Sequence, residues 1–335
     1  MKKLFSILSL SVALYGCTDN SETKHSSNIV VTDAKGNTIS LEKPAEKIVA
    51  LFDPSVDAIY MLQAQDKLIG IPAETYADKE LFEPYKRIDA RVAAKSLTIP
   101  GSNETANLES ILQLKPDLVI VQNMTPGTIN SLKQMNIPVY QAAASKYEDV
   151  MKELKDIGAL TGKNDRAAEL LQYADSTIKS MQTQSAAITK KKNAYFAWAN
   201  GRIFSTAGHG SMMHNTLTNA GVNNVCTTEI DQPNINPETL LQWNPDMIIM
   251  WNDSPDLFYN KKELSAITAI QQKQIFNLMP MFYYNPHTLK SLAASVAINQ
   301  WAYGFADNGH LAKVENIIKK LYGEENGAKL LNYFK

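Results

Sequence analysis

The sequence predicts an α/β protein: two Rossmann-like lobes with parallel sheets, joined by one long rigid α-helix. Three observations predict this fold: a strand–helix–strand unit near the N-terminus, a segment repeated in each half, and an uninterrupted helical stripe between the copies. A chain of 335 residues suits two lobes of ordinary domain size. The net charge of −1 gives no overall field that would attract nucleic acid, so we expect no nucleic-acid partner.

The first 17 residues are typical of an export signal. Two lysines at residues 2–3 precede a mostly apolar run over residues 4–14, which is too short to span a bilayer. The run ends in Leu-Tyr-Gly-Cys at residues 14–17, which resembles a lipobox, so Cys17 is predicted to carry the lipid. A chance cysteine after an ordinary signal peptide is the alternative. Polar residues 18–28 then predict a flexible tether between lipid and fold.

Cysteine usage agrees with an exported chain that has no structural disulfide. The sequence holds two cysteines, Cys17 and Cys226. If Cys17 is lipidated, Cys226 has no partner, and a free thiol is favoured over a metal ligand.

The N-terminal lobe is predicted over residues 29–145. Residues 48–52 form a short apolar run that predicts a buried strand, and Asp53-Pro54-Ser55 after it supplies residues typical of a helix cap. Residues 67–71 predict the next strand. Strand, helix and strand in this order form a βαβ unit, which requires a parallel sheet with helices on its faces.

An internal repeat indicates that the second lobe has the architecture of the first. Residues 107–123 and 236–252 are offset by 129 residues and are identical at 8 of 17 positions. Each copy reads as a short helix, a Pro-Asp turn that stops it, and a buried strand that ends in a polar residue. Chance similarity between two amphipathic segments is the alternative to a duplicated architecture.

A helical connection is predicted over residues 146–190. One helix covers residues 147–160, and a longer one, capped by Asn164 or Asp165, runs to about residue 188. Its apolar residues recur at helical spacing, and the segment contains no Gly/Ser linker. We therefore expect a rigid connection between the lobes.

The C-terminal lobe is predicted over residues 191–335. It opens with a strand over residues 194–198, a turn at Asn200-Gly201 and a second strand over residues 202–206. A helix then begins at Ser211. The chain closes with helices across residues 287–305 and 311–321.

Ligands of open parallel sheets lie beyond the carboxyl ends of the strands, which names candidate binding residues in both lobes. Those predicted to bind ligand are Asp53, Ser55, Gly101, Asn123, Trp198, Arg202, His209, Ser211, Trp251, Tyr283, Tyr284 and His287. The aromatic side chains are suited to stacking on a flat or catecholate ligand, although core packing is the alternative for each. Arg202 either meets an anionic ligand or points to solvent. Gly208-His209-Gly210-Ser211 before a helix is a candidate anion seat, with backbone N–H groups and a capping hydroxyl.

Four segments together carry a family resemblance that covers residues 29–335. They lie at residues 43–51, 107–121, 205–211 (Ser-Thr-Ala-Gly-His-Gly-Ser) and 236–250. With the lipobox and the long helix, they resemble the substrate-binding proteins of ABC importers for ferric siderophores, haem and cobalamin. No single segment decides the resemblance, but their order and spacing are specific.

The resemblance implies a ligand cleft between the lobes that closes modestly on binding. It also implies a surface glutamate on each lobe that meets arginines of the permease. The matching positions are Glu109 and Glu238; alternatively, each merely favours the start of its helix through the helix dipole. It also implies that Tyr284, with His209, His214 or His287, completes the coordination of a chelated metal.

These features predict an exported, lipid-anchored, monomeric receptor that captures a metal complex, most of all a ferric siderophore (Fe³⁺-siderophore), and has no intrinsic cofactor. It faces the periplasm or the cell exterior and contacts the membrane only through its lipid; its partners are the permease and its ATPase.

Haem, cobalamin, a nickel chelate and molybdate or tungstate are alternative ligands. Alternatives of another class are a bare zinc or manganese receptor, disfavoured because no histidine lies between residues 26 and 208, and an enzyme, for which no catalytic motif is present.

Overall fold

The computed structural model describes residues 28–143, 145–304 and 309–332. The predicted signal peptide, with Cys17, and residues 18–27 of the predicted tether lie outside this part. Within it, strands and helices alternate through two lobes, and two consecutive helices stand between them. The predicted α/β class with two lobes and a helical connection is confirmed. In the described residues, no helix has both the length and the apolar character needed to cross a bilayer.

The first lobe is built on a four-stranded parallel sheet with a small antiparallel hairpin. Its elements are β1 (Ile29–Thr32), β2 (Thr38–Leu41), β3 (Ile48–Leu51), α1 (Asp53–Met61), β4 (Leu68–Gly70), α2 (Glu74–Ala77), α3 (Lys79–Ile88), α4 (Ala90–Ala93), α5 (Leu108–Leu114), β5 (Leu118–Val121), α6 (Pro126–Gln134) and β6 (Val139–Gln141). The sheet has the order β4-β3-β5-β6. Its central strands β3 and β5 are buried at every residue, as expected for strands covered on both faces.

Two helices connect this lobe to a second parallel sheet. The connecting helices are α7 (Tyr147–Thr161) and α8 (Asn164–Ala186). The second lobe contains β7 (Asn193–Ala197), α9 (Met212–Asn219), β8 (Asn223–Asn224), α10 (Pro237–Trp243), β9 (Met247–Trp251), α11 (Asp256–Tyr259), α12 (Thr268–Gln271), β10 (Ile275–Leu278), α13 (Ser291–Tyr303), α14 (Gly309–Tyr322) and α15 (Glu324–Leu331). Its sheet has the order β8-β7-β9-β10, which repeats the strand order of the first lobe.

The two copies of the repeat adopt the same local structure. The side chains of Asn107 and Asn236 cap α5 and α10, and each accepts a backbone N–H three residues on, at 3.0 and 2.8 Å. The carboxylates of Asp117 and Asp246 each accept a backbone N–H at the entry to the neighbouring central strand, at 2.9 and 2.8 Å. The Pro-Asp turn thus ties each repeated helix to the same place in its sheet.

The connecting helix α8 is fastened to both lobes. Its predicted stripe is buried at Ala167, Leu170, Ala174, Ile178 and Met181. These side chains belong to one continuous core that includes residues from both sheets. Burial of this stripe makes independent motion of the lobes costly, which is the rigidity predicted from the sequence.

Arg166, near the start of α8, bridges the lobes directly. Its guanidinium donates to the carbonyl of Met61 at the end of α1, at 3.2 Å, and to that of Lys320 in α14, at 2.6 Å.

Some local predictions are wrong. Residues 202–206 form turns and a single bridge from Ser205, not a second strand. The carbonyls of Ile203 and Ser205 are taken by the Tyr195 hydroxyl and the Trp198 N–H, so they are not available to a neighbouring strand. The caps also differ: α1 and α8 begin after Phe52 and Lys163, and neither helix has a side-chain cap bond.

Candidate functional site

Two adjoining cavities lie where the carboxyl ends of the strands of both lobes meet. The first has a volume of about 300 Å³ and is lined by Asp53, Pro54, Asp78, Glu80, Leu81, Trp198, Trp251, Met281, Phe282, Asn285, Pro286, His287 and Lys290. The second has about 340 Å³ and is lined by Phe52, Pro54, Gln122, Ser145, Gly210, Met212, Asp231 and His287. The two share Pro54 and His287, one from each lobe, and together we call them the interlobe cleft.

The second lobe contributes an aromatic wall to the cleft. The rings of Trp198 and Trp251 lie 6.3 Å apart at 62°. The indole N–H of Trp198 donates to the Thr206 carbonyl at 2.9 Å, and that of Trp251 lies 3.0 Å from the sulfur of Met281. Each ring is 8% exposed, so it offers one edge or face to the cleft while the rest is held by packing. Such a wall is suited to stacking on a flat or bulky ligand.

The first lobe contributes an acidic wall. The Asp53 carboxylate accepts hydrogen bonds from the Asn103 amide at 2.7 Å and the Thr75 hydroxyl at 3.3 Å. Burial, opposed by the Asn103 bond and assisted by the nearby Glu74 carboxylate, raises the pKa of Asp53 to about 6. Asp78 caps α3 by accepting the backbone N–H of Glu80 at 2.8 Å, and both residues line the first cavity.

A buried ion pair lies beneath the first cavity and joins the lobes. The Lys290 ammonium is 2.9 Å from the Asp57 carboxylate, and the side chains are 1% and 3% exposed. The hydroxyls of Tyr85 and Tyr322 also donate to Asp57. Burial lowers the pKa of Lys290, and Asp57 opposes that shift. The ammonium also lies 3.7 Å from the centre of the Phe282 ring, so it holds a cleft side chain in place.

A second buried acid lies under the junction of the two cavities. Glu153 of α7 accepts a hydrogen bond from the Ser55 hydroxyl at 2.5 Å. It lines a small void of about 10 Å³ together with Pro54 and His287. Burial raises the pKa of Glu153 to about 8, and the Ser55 bond opposes that shift.

A cleft between two lobes, with strand-end loops on both sides and a rigid helical connection, can enclose a ligand. Comparison with known families decides the class of protein. Residues 48–280 match the model of the family described as periplasmic binding protein. The chain belongs to the periplasmic binding protein family. It is a substrate-binding component of an ABC importer and works outside the cytoplasm; it is not an enzyme.

Three relatives illustrate the range of this family. The binding protein is 23% identical to an uncharacterized ABC transporter substrate-binding lipoprotein, YvrC of Bacillus subtilis, over 82% of this chain and 88% of that one. It is 24% identical to the molybdate-binding protein MolA of Haemophilus influenzae, over 76% and 78%. It is 22% identical to the iron(3+)-hydroxamate-binding protein FhuD of Bacillus subtilis, over 59% and 60%.

A solved structure supports the fold. The periplasmic solute binding protein of Veillonella parvula superposes with a TM-score of 0.72 at 20% identity, covering 88% of this chain and 92% of that one.

Four predicted site residues of the binding protein line the interlobe cleft: Asp53, Trp198, Trp251 and His287. His287 lies at the junction of the two cavities, where its backbone N–H donates to the Asn285 side chain at 2.9 Å. These residues come from both lobes, so the cleft unites strand ends that are far apart in the sequence.

Tyr283 and Tyr284 are placed differently from the prediction. Tyr283 is fully buried and donates its hydroxyl to the Leu330 carbonyl at 2.5 Å. Tyr284 is 2% exposed, and burial raises its pKa to about 12. Neither phenol lines the interlobe cleft, because the turn over Met281–Tyr283 directs Met281 and Phe282 there instead. The expectation that Tyr284 completes a metal site is therefore not supported by its position.

The rings of His209 and His214 pack against each other at a tilt of 43° beside the cleft. Their ring centres lie 4.2 Å apart, and the Nδ1 of His209 is 3.5 Å from the Glu229 carboxylate. Burial, followed by the neighbouring His209, lowers the pKa of His214. No group of three or more His, Cys, Asp or Glu side chains in the described chain is arranged to hold a metal ion.

The structure gives little support to the predicted anion seat at residues 208–211, because three of its four backbone N–H groups, those of Gly208, His209 and Ser211, already donate to carbonyls. The N–H groups of Gly208 and His209 donate to the carbonyls of Asp231 and Thr228. A side chain on Gly208 would meet the Ile230 carbonyl at 2.0 Å, so this glycine permits close packing of the 228–231 segment. Ser211 is a buried helix cap that accepts the His214 N–H.

The remaining predicted residues lie outside the lining of the two cavities. Ser55 is fully buried on Glu153. Gly101 forms an isolated bridge with Ala106, and a side chain there would meet the Thr105 carbonyl at 2.2 Å. Asn123 and Arg202 are exposed, and Arg202 donates to the Ala199 carbonyl. Buried Cys226 is a free thiol, as predicted.

Sequence reasoning missed four cleft residues that do not directly follow a strand. Asp78, Glu80 and Leu81 enter the cleft from the start of α3, and Lys290 from the segment before α13. The Asp-Lys-Glu start of α3 is a helix-capping signal that was available in the sequence. The sequence did not show, however, that the start of α3 lines the cleft.

Glu109 and Glu238 lie in the first turns of the two repeated helices and are exposed. The two lobes have the same strand order, and the two glutamates occupy equivalent positions in them. They therefore form a matched pair of surface carboxylates.

Proposed function

We propose that this binding protein captures a ferric siderophore in the interlobe cleft and delivers it to an ABC permease and its ATPase. The size of the cleft carries the proposal. Its two adjoining cavities, of about 300 and 340 Å³, are bounded by both lobes. They are large enough for a chelated metal and much larger than a bare ion needs. Among the relatives, FhuD is named for an iron(3+)-hydroxamate and MolA for molybdate. Cobalamin, haem, a nickel chelate and molybdate or tungstate are the alternative ligands.

The aromatic wall supplies the readout for a test. We expect titration with a ferric hydroxamate siderophore to quench tryptophan fluorescence, because Trp198 and Trp251 line the cleft. Trp198→Ala should weaken binding by about 1–3 kcal/mol, the usual loss for a central aromatic contact. Trp301→Phe is the control, since Trp301 stacks on Phe276 outside the cavities' lining. If no ferric siderophore binds, while cobalamin, haemin or molybdate does, the ligand assignment is refuted.

Delivery is proposed to use the paired glutamates. A permease with approximate two-fold symmetry would present matching arginines, and bidentate Arg–carboxylate pairs give both register and energy. The equivalent positions of Glu109 and Glu238 on the two lobes support this role over a purely local helix-dipole effect.

Membrane attachment is proposed through a lipid on Cys17, with the polar residues 18–28 as a tether. In this arrangement the monomeric receptor touches the membrane only through its lipid, and it faces the periplasm or the cell exterior.

A further inference from the structure

The charged side chains that line the interlobe cleft are mostly negative. Three carboxylates line the first cavity, from Asp53, Asp78 and Glu80, and a fourth, from Asp231, lines the second. The lining contains one lysine, Lys290, and no arginine in the described residues.

Lys290 does not offset these carboxylates, because its charge is already matched. Its ammonium is 2.9 Å from the Asp57 carboxylate, and both side chains are buried. The pair is close to neutral as seen from the cavity. The ammonium also lies over the face of the Phe282 ring, 3.7 Å from its centre.

Two of these carboxylates, Asp53 and Asp78, accept hydrogen bonds from neutral groups, which do not cancel their negative charge. Asp53 bonds to the Asn103 amide and the Thr75 hydroxyl, and Asp78 bonds to a backbone N–H. Two tryptophans of the other lobe, Trp198 and Trp251, line the same cavity, and aromatic ring faces attract cations. Carboxylates on one wall and aromatic rings on the other favour positive charge between them and disfavour negative charge.

We infer that the cleft selects metal complexes that are uncharged or carry a positive group, with that group lying between Asp53, Asp78 and the tryptophan wall. The inference rests on the proposed function and narrows it. A ferric trihydroxamate is uncharged at its core, and a pendant ammonium makes it cationic. A ferric tris-catecholate, a haem with two carboxylates and molybdate are anions, and the cleft disfavours all three.

A matched pair of ligands tests the charge preference alone. Ferrioxamine B carries one free ammonium, and its N-acetylated form keeps the same ferric core without that charge. We expect ferrioxamine B to bind the mature chain about three- to tenfold more tightly, with ferric enterobactin weakest of the three. The preference should shrink as salt is added, since part of it is screened.

Substitutions of single residues test whether the carboxylates of the cleft cause the preference for the ammonium. Asp78→Asn retains a good helix cap, so α3 should remain intact while the preference for the ammonium falls. Asp53→Asn should act in the same direction. Asp165→Asn is the control, because it removes an equal charge from an exposed position on α8.

The outcomes separate the charge inference from the proposed function. Equal affinity for the two ferrioxamines, or tighter binding of ferric enterobactin, overturns the charge inference while a siderophore receptor stands. The charge inference is also overturned if the preference for ferrioxamine B over its N-acetylated form persists in both the Asp53→Asn and the Asp78→Asn variants. Binding of none of the ferric complexes refutes the proposed function, and the inference falls with it. Binding of molybdate or haemin in their place contradicts both.

Discussion

Glu153→Gln should remove a large part of the pH dependence of the protein's stability. Glu153 is buried in α7, where its carboxylate accepts a hydrogen bond from the Ser55 hydroxyl. Burial raises its pKa from the ordinary 4.5 to about 8, so the folded protein binds a proton that the unfolded chain releases above about pH 5. Stability from this proton is fully present below the unfolded pKa and is lost as pH rises through the folded value.

The magnitude follows from the two pKa values. With 1.36 kcal/mol for each pH unit, the contribution of Glu153 to the free energy of unfolding falls by about 3–4 kcal/mol between roughly pH 5 and pH 8. Glutamine keeps the size and the acceptor for Ser55 but does not titrate. The variant should therefore gain stability relative to the wild type as pH rises. Asp53, whose pKa is also raised, titrates in both proteins and cancels in the difference.

Urea unfolding at several pH values, on the ligand-free mature chain, measures this difference. Glu148→Gln is the control, because Glu148 lies on the same helix but is exposed. Its stability profile should run parallel to that of the wild type. If the Glu153→Gln profile is parallel as well, with a constant offset across this range, then Glu153 does not hold a proton in the fold and the reasoning is refuted.

Three other perturbations test separate parts of the molecule. Cys17→Ser should move the protein from the membrane fraction to the soluble one, and an unlipidated wild-type N-terminus would refute the anchor. Reversing Glu109 and Glu238 to Arg should abolish most uptake with ligand affinity unchanged; normal uptake with a lowered melting temperature would indicate helix-dipole roles alone. Lys290→Met should destabilise the fold by about 3–5 kcal/mol, because it leaves the Asp57 carboxylate buried without its cation; adding Asp57→Asn should restore part of that loss, and strict additivity in denaturant unfolding would contradict a coupled pair.

The family and its architecture were readable from the sequence because they depend on local, repeated patterns. The repeat at residues 107–123 and 236–252 specifies a capped helix, a Pro-Asp turn and a buried strand from neighbouring residues alone. The stripe of α8 is equally local, since helical spacing places its apolar residues on one face. Three cleft residues, Asp53, Trp198 and Trp251, also followed from a local rule, because each stands at the carboxyl end of a parallel strand, where ligands of open parallel sheets bind.

Tertiary structure alone decided which strand-end side chains reach the cleft. Tyr283 and Tyr284 stand in the predicted loop, yet a single tight turn sends Met281 and Phe282 to the cavity and the phenols into the core. The partners of Asp57, Glu153 and Asp53 lie tens to hundreds of residues away, so no sequence window contains them. The net negative charge of the cleft lining also depends on the tertiary structure. Lys290 is a free cation in the sequence, and only the fold brings Asp57 close enough to neutralise it and leaves the carboxylates to face the ligand.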